Sequence, residues 1–257
     1  MDSGMIRDIK NGRALTSRQL AARLAAAPRV VVGEQRDNLD HQAVQLWLLQ
    51  VLADQRPQGS VLFESLNPLQ QASVDSVRER IARSDYPADL PLALQWQPAW
   101  DWSLHGPVMR FALAQSCPLL SANLDVAEVA SIYQHMPELT GPRSTTSAVQ
   151  ALLLGHLREL HGSALLENQE TATLAVQQQR DRRLAQSLLN APAPAILIAG
   201  SWHARKDAGA PLHMADLDSD EVPVVLLLAQ MGEEVVAGSA DYVWYTVATP
   251  KPGTGIQ

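Results

Sequence analysis

Glu34, Arg36, Asp37, Asp40 and His41 fall within eight residues at the end of the apolar run in "VVVGEQRDNLDH", from Val30 to His41. A turn needs only residues such as Gly, Asn and Ser, so this density of titratable groups implies mutual neutralisation or a ligand. Two other apolar runs also stop in reactive side chains: "VLFE" ends in Glu64, and "ILIAGSWH" leads into His203. Two carboxylates and an imidazole are hard or borderline metal donors. They equally suit a general base with an orienting partner. Arg36 lies two residues after Glu34, so in extended chain both face one way, either as an ion pair locking the strand end or beside a ligand. His41 falls in the first turn of the following helix, where backbone N–H groups favour an anion.

These groups can meet only if the strands run side by side. Short apolar runs bounded by turn residues predict strands at Arg29–Gly33, Val61–Phe63, Pro118–Ala122 and Ala195–Ala199, with two more at Val222–Ala229 and Tyr242–Thr246. Between the early strands lie helical patterns. One is capped by Asn38 or Asp40 and carries Val44, Trp47, Leu48, Val51 and Leu52; another spans Leu69–Arg83; a third begins near His105–Pro107 and ends at Gln115. Such alternation predicts a single α/β domain over residues 1–257, with a mainly parallel sheet flanked by helices. From about 126 to 190 the pattern is helical only, one helix following "STTS" and stopping at Gly162, a longer one beginning at Leu165. This stretch is expected to be a helical insertion. In an open parallel sheet the carboxyl ends of the strands form the ligand-binding edge, which brings Glu34, Glu64 and His203 into one crevice.

Composition narrows the partners. With 257 residues, 46% of them hydrophobic, the chain can bury a sizeable core. Its formal charge of −7 argues against nucleic acid, which needs a basic face. The single cysteine, Cys117, excludes an internal disulfide and reads as a buried inert thiol. No apolar run approaches the roughly 20 residues that span a bilayer, and the N-terminal stretch has no apolar core of signal-peptide length. "MDSG" before Met5 reads as a cloning scar, which leaves the compartment open.

Five motifs occur in order: Gly33-Glu34-x-Arg36-Asp37-Asn38, "FES" at Phe63–Ser65, "QRDRRLAQSL" around Asp181, "GSWHARKDAGAP" at Gly200–Pro211 and "ADYVWYT" at Ala240–Thr246. Together they resemble the ChaN family of iron-regulated haem-binding uptake proteins, often lipoproteins, in a superfamily with Tiki-type metalloproteases and erythromycin esterases. The resemblance implies a haem-handling protein of bacterial iron uptake, in the periplasm or at the outer membrane. It further implies a homodimer holding haem at its interface, a Tyr on the iron, basic side chains on the propionates, and other haem-uptake components as partners. In Tiki-type relatives the corresponding positions serve metal-dependent hydrolysis. By position these are Glu34, Glu64 and His203, with Asp181 and Arg205 nearby, around a divalent ion. Relatives usually carry a His where this chain has Arg36. A guanidinium stays protonated and cannot ligate a metal, so Arg36 points instead to neutralising Glu34 or clamping an anion, together with His41, Asp181 and Arg205.

Haem needs an apolar slot, an axial ligand and groups for two propionates. Tyr133 and His135 in "VASIYQHMPEL", then His156 and His161 in "LLLGHLRELHG", are the candidates in the helical stretch. Tyr242 and Tyr245 sit in a core strand and are expected to pack, while Tyr86 falls in a turn. The cluster "WQPAWDW" (Trp96, Trp100 and Trp102) is expected to pack at a sheet edge, or else to wall a pocket or form a patch for a partner.

Overall fold

The computed structural model describes residues 4–162, 167–217 and 220–247. In chain order the elements begin with β1 (Met5–Asp8), β2 (Arg13–Leu15), α1 (Ser17–Ala25), β3 (Arg29–Glu34), α2 (Leu39–Gln55) and β4 (Ser60–Phe63). There follow α3 (Gln71–Ala82), α4 (Leu90–Ala93), α5 (Trp102–Ala114) and β5 (Leu119–Ser121). Next come the helices α6 (Val126–His135), α7 (Ser147–His161) and α8 (Glu167–Asn190). The chain closes with β6 (Ala195–Gly200), α9 (Ser201–Ala204), α10 (Ala210–Asp216), β7 (Val224–Gln230) and β8 (Tyr242–Thr246).

The strands form one sheet in the order β2-β1-β8-β7-β3-β6-β4-β5. Every pairing from β8 to β5 is parallel; the β2–β1 and β1–β8 pairings are antiparallel. The six expected strands are all present, within two residues at either end. The antiparallel pair β1–β2 was not expected. It is short and mixed in polarity, and its one local signal is the Asn11–Gly12 turn, where Gly12 takes φ +64°.

Side-chain alternation divides the core into two layers. Val30, Val32, Val61, Phe63, Ile196 and Ile198 face α1, α2, α3 and α5. Val31, Leu62, Leu197, Val225 and Leu227 face α8 and α10. The central strands are therefore apolar on both faces, as a parallel sheet between helices requires. The helical stretch from 126 to 190 supplies α6, α7 and α8. Helix α8 packs on the sheet through Leu184, Ala185 and Leu188. Its other faces receive α7 through Leu153 and Leu157 and α6 through Ile132.

Local chemistry sets the helix ends near the sheet edge. The Asn38 side chain accepts from the N–H groups of Asp40 and His41, capping α2. Asp125 and Glu128 form a reciprocal capping box on α6. Helix α7 stops at Gly162, which adopts φ +52°. The expected start of the long helix at Leu165 lies outside the described residues. Helix α5 starts three residues earlier than expected because Asp101 caps it, so Pro107 lies inside the helix rather than at its start.

Candidate functional site

Strands β3, β6 and β4 are adjacent and parallel, so Glu34, Gly200 and Glu64 line up at one edge of the sheet. Helix α9 turns back over that edge directly after β6. Two glycines allow the fit. A Cβ on Gly33 would collide with Leu227 and Ala204, and one on Gly209 would collide with the backbone carbonyl of His203. The three expected groups thus converge on a cleft of about 600 Å³, whose far side is built by α6, α7 and α8.

The floor is a buried network of charge. His203 Nδ1 lies 2.6 Å from Asp181 Oδ1, and its Nε2 lies 3.5 Å from Glu64 Oε1. The Gln177 amide reaches both His203 Nδ1 and Asp181. Glu64 also accepts the Gly200 N–H at 2.7 Å. Burial opposes a charge on His203, but the carboxylates of Glu64 and Asp181 outweigh it and raise its pKa. Burial likewise works against charged Glu64, yet His203, Arg180 and the Gly200 N–H hold its pKa below the usual value. Asp181, with no solvent exposure, is pushed upward by burial in spite of His203.

Glu34 behaves differently. Its carboxylate accepts hydrogen bonds from Gln42 and Gln45 on α2. Burial, reinforced by the nearby Glu64, raises its pKa from 4.5 to about 8. Its hydrogen-bond partners are these two amides and not Arg36. Arg36 is exposed and lies over the Trp100 ring at 4.1 Å. Gln42 and Gln45 are legible in the sequence only as the polar positions of an otherwise apolar helix face.

The upper walls come from the helical stretch. Val129, Leu157, Leu160 and Val176 make them apolar, and Trp100 and Trp202 stand at the sides. Tyr133 on α6 lines the cleft while 43% exposed, its hydroxyl 3.1 Å from Thr173 Oγ1. On α7, His156 stacks on Trp202 with ring centroids 3.8 Å apart. Burial, helped by the positive charges of His203 and Arg205, lowers the pKa of His156 to about 4, so its imidazole is neutral. His161 lines the same cleft one turn further on.

Four expected residues lie off the cleft wall. His41 is completely buried, and its Nδ1 accepts the Gln35 N–H; burial lowers its pKa to about 4. It braces the loop after β3 instead of facing an anion. Arg205 grips Asp207 through two hydrogen bonds of 2.8 and 2.6 Å and lies over the Trp202 ring at 4.5 Å. His135 sits at the exposed end of α6, its Nδ1 3.0 Å from the Ser131 carbonyl. Asp181 belongs to the floor network but is buried behind His203 and does not line the cleft.

A family model for haem-binding uptake proteins, described as Tiki superfamily and ChaN, matches residues 20–214. The chain belongs to the ChaN family. Among solved structures it is similar to the ChaN of Campylobacter jejuni, a structure of cofacial haem binding. The TM-score is 0.87 at 26% identity, over 96% of this chain and 98% of that one. Weaker likenesses are an erythromycin esterase, EreC, in its open conformation (TM-score 0.49, 13% identity, 96% and 83% covered) and RRSP, a MARTX toxin effector domain from Vibrio vulnificus (TM-score 0.48, 12% identity, 93% and 39% covered). No match is found among curated protein sequences. The family assignment agrees with the resemblance carried by the five sequence motifs.

Proposed function

We propose that the chain binds haem in the cleft between the sheet edge and the helices α6, α7 and α8, as part of bacterial haem or iron acquisition. One observation carries this reading beyond family membership: Tyr133 presents a phenol to an apolar cleft bounded by two Trp side chains. The donor set fits the group. A phenolate is an established haem ligand, the apolar walls suit a flat macrocycle, and Arg36 and Arg180 supply cations beside the cleft. The neutral imidazole of His156 and the side chain of His161 line the cleft from α7 and are further candidate iron ligands. Haem bound here would supply the iron chemistry. The protein's part is to exclude water with α6 and α7 and to hold the phenol by its hydrogen bond to Thr173.

The reading includes a homodimer in the periplasm or at the outer membrane. Its support is an exposed apolar surface on α6 and at the end of α7: Val126, Tyr133, Met136 and Leu160 are all more than 40% exposed, and covering them would close the open side of the cleft. No helix among the described residues is long and apolar enough to cross a membrane.

A hydrolase built on a divalent ion held by Glu34, Glu64 and His203 has less support. Among the described residues no three His, Cys, Asp or Glu side chains converge as a metal site. Glu34 turns to two glutamines, and Glu64 to a backbone N–H and a histidine.

Haemin titration of the purified chain, followed by visible absorption and size exclusion, tests the proposal. Saturation near one haem per chain with a shift towards dimer is expected, and Tyr133→Phe should abolish the tyrosinate-type spectrum. A flat titration of the unmodified chain would overturn it.

A further inference from the structure

The segment joining α3 to α5 carries residues that the haem reading leaves unused, among them Tyr86 and the Trp102 end of the Trp-rich stretch. It borders a cavity of about 420 Å³ between the end of α3, α4 and α5, which shares no lining residue with the haem cleft. We infer that this cavity is a second binding site, for a free α-amino acid with an apolar side chain.

The walls are apolar and set in advance. Ile81, Pro87, Leu90 and Pro91 line the cavity half-buried, and Tyr86 lines it while 65% exposed, so an occupant gains an aromatic face as well as aliphatic ones. Arg80 grips Asp85 through hydrogen bonds of 2.8 and 3.2 Å, and the Asp85 N–H returns to the Arg80 carbonyl at 2.9 Å. Ser84 is held at φ +62°, a left-handed conformation that a non-glycine residue keeps only where its surroundings impose it. Pro87 and Pro91 fix their own φ, and Asp89 Oδ1 accepts the Leu92 N–H at 3.0 Å. A wall already shaped costs little ordering when a ligand enters.

Two charges of opposite sign complete the lining. Arg110 on α5 makes no hydrogen bond or ion pair among the described residues, and its guanidinium lies 5.2 Å from the centre of the Trp102 ring. Gly106 stands between them on the same helix face. A Cβ there would come within 3.1 Å of both Arg110 Nη1 and the Trp102 ring, so glycine leaves Arg110 room to lie on Trp102 at the cavity wall. Asp89 is the one carboxylate in the lining. Its Oδ1 serves the cap of α4, and its Oδ2 accepts no hydrogen bond among the described residues. An anion would pair with Arg110 but face Asp89 with like charge, and a cation would meet the reverse. A zwitterion satisfies both. The volume is at the small end for ligand pockets, which suits a body the size of leucine or phenylalanine and not a macrocycle.

Calorimetric titration of the purified chain tests the site, with L-phenylalanine, L-leucine, 3-phenylpropionate, which lacks the ammonium, and 2-phenylethylamine, which lacks the carboxylate. The two amino acids should bind saturably at about one per chain, and each singly charged analogue about threefold or more weakly. Arg110→Gln should bring phenylalanine down to the level of phenylethylamine. Asp89→Asn, which keeps a capping side chain on α4, should bring it down to the level of phenylpropionate. Thermal melts establish that both variants are folded. Absence of saturable heat with either amino acid overturns the site. An analogue that binds the unmodified chain as well as phenylalanine overturns the zwitterion assignment, as does undiminished phenylalanine binding in either folded variant. The inference does not rest on the haem reading, and haemin titration of the same chain decides that reading separately.

Discussion

The floor and the rim of the cleft use similar residue types in opposite ways. On the floor, Glu64, Asp181 and His203 are at most 9% exposed, and each is engaged by another group of the same network. At the rim, Tyr133 is half-exposed and makes one hydrogen bond, while His156 and His161 face the cleft from α7. A charge taken out of water must be compensated on the spot, so the floor is committed to the fold before any ligand arrives. The rim has no such obligation and its donors are available. The difference teaches that the density of titratable groups in a sequence marks where electrostatics is concentrated, and not by itself where a ligand is held.

The contrast can be broken first at its strongest point. Replacing His203 by Leu removes the cation between two buried carboxylates and should destabilise the chain by about 3–5 kcal/mol, read from urea unfolding midpoints. An unchanged midpoint would mean that the floor is not an obligatory network. The next effect is one of pH. Glu34 has its pKa raised from 4.5 to about 8 in the folded chain. Between those values the folded state binds more protons than the unfolded state, so stability falls as pH rises through that window. Glu34→Gln keeps an acceptor for Gln42 and Gln45 and should flatten the fall, gaining about 1–3 kcal/mol at pH 8 and little at pH 5. Parallel stability curves for the two chains across this range would refute the assignment.

Rim substitutions sharpen the comparison from the other side. His156→Ala removes a ring stacked on Trp202 and should cost about 0.5–1.5 kcal/mol. Tyr133→Phe should alter stability by no more than about 0.5 kcal/mol while eliminating the haem spectrum. Thermal melts of both variants without haem provide the check: a Tyr133→Phe loss comparable to that of His203→Leu would mean that the rim, too, belongs to the fold.

Much of this was legible without coordinates. The six apolar runs and their turn residues define the parallel strands, because buried central strands admit few polar positions. The Asn38 cap fixes the start of α2. The strand ends identify Glu34, Glu64 and His203 as neighbours once the sheet is parallel, since parallel strands bring their carboxyl ends to one edge. The short β1–β2 pair escaped because its seven residues carry too weak an alternation to stand out from a polar loop.

What the sequence by itself determined, then, is the sheet, its chemically loaded edge, the family and the expectation of haem. Only the tertiary structure decided which residues at that edge serve which neighbour. It turned Glu34 to Gln42 and Gln45, withdrew His41 behind the wall, bound Arg205 to Asp207 and set Arg36 on Trp100. The physical reason is that hydrogen bonds and charge pairs act over a few ångströms between residues far apart in the chain, 136 positions in the case of Glu64 and Gly200. Residue type and spacing record that such groups exist, and only packing brings one particular pair within reach.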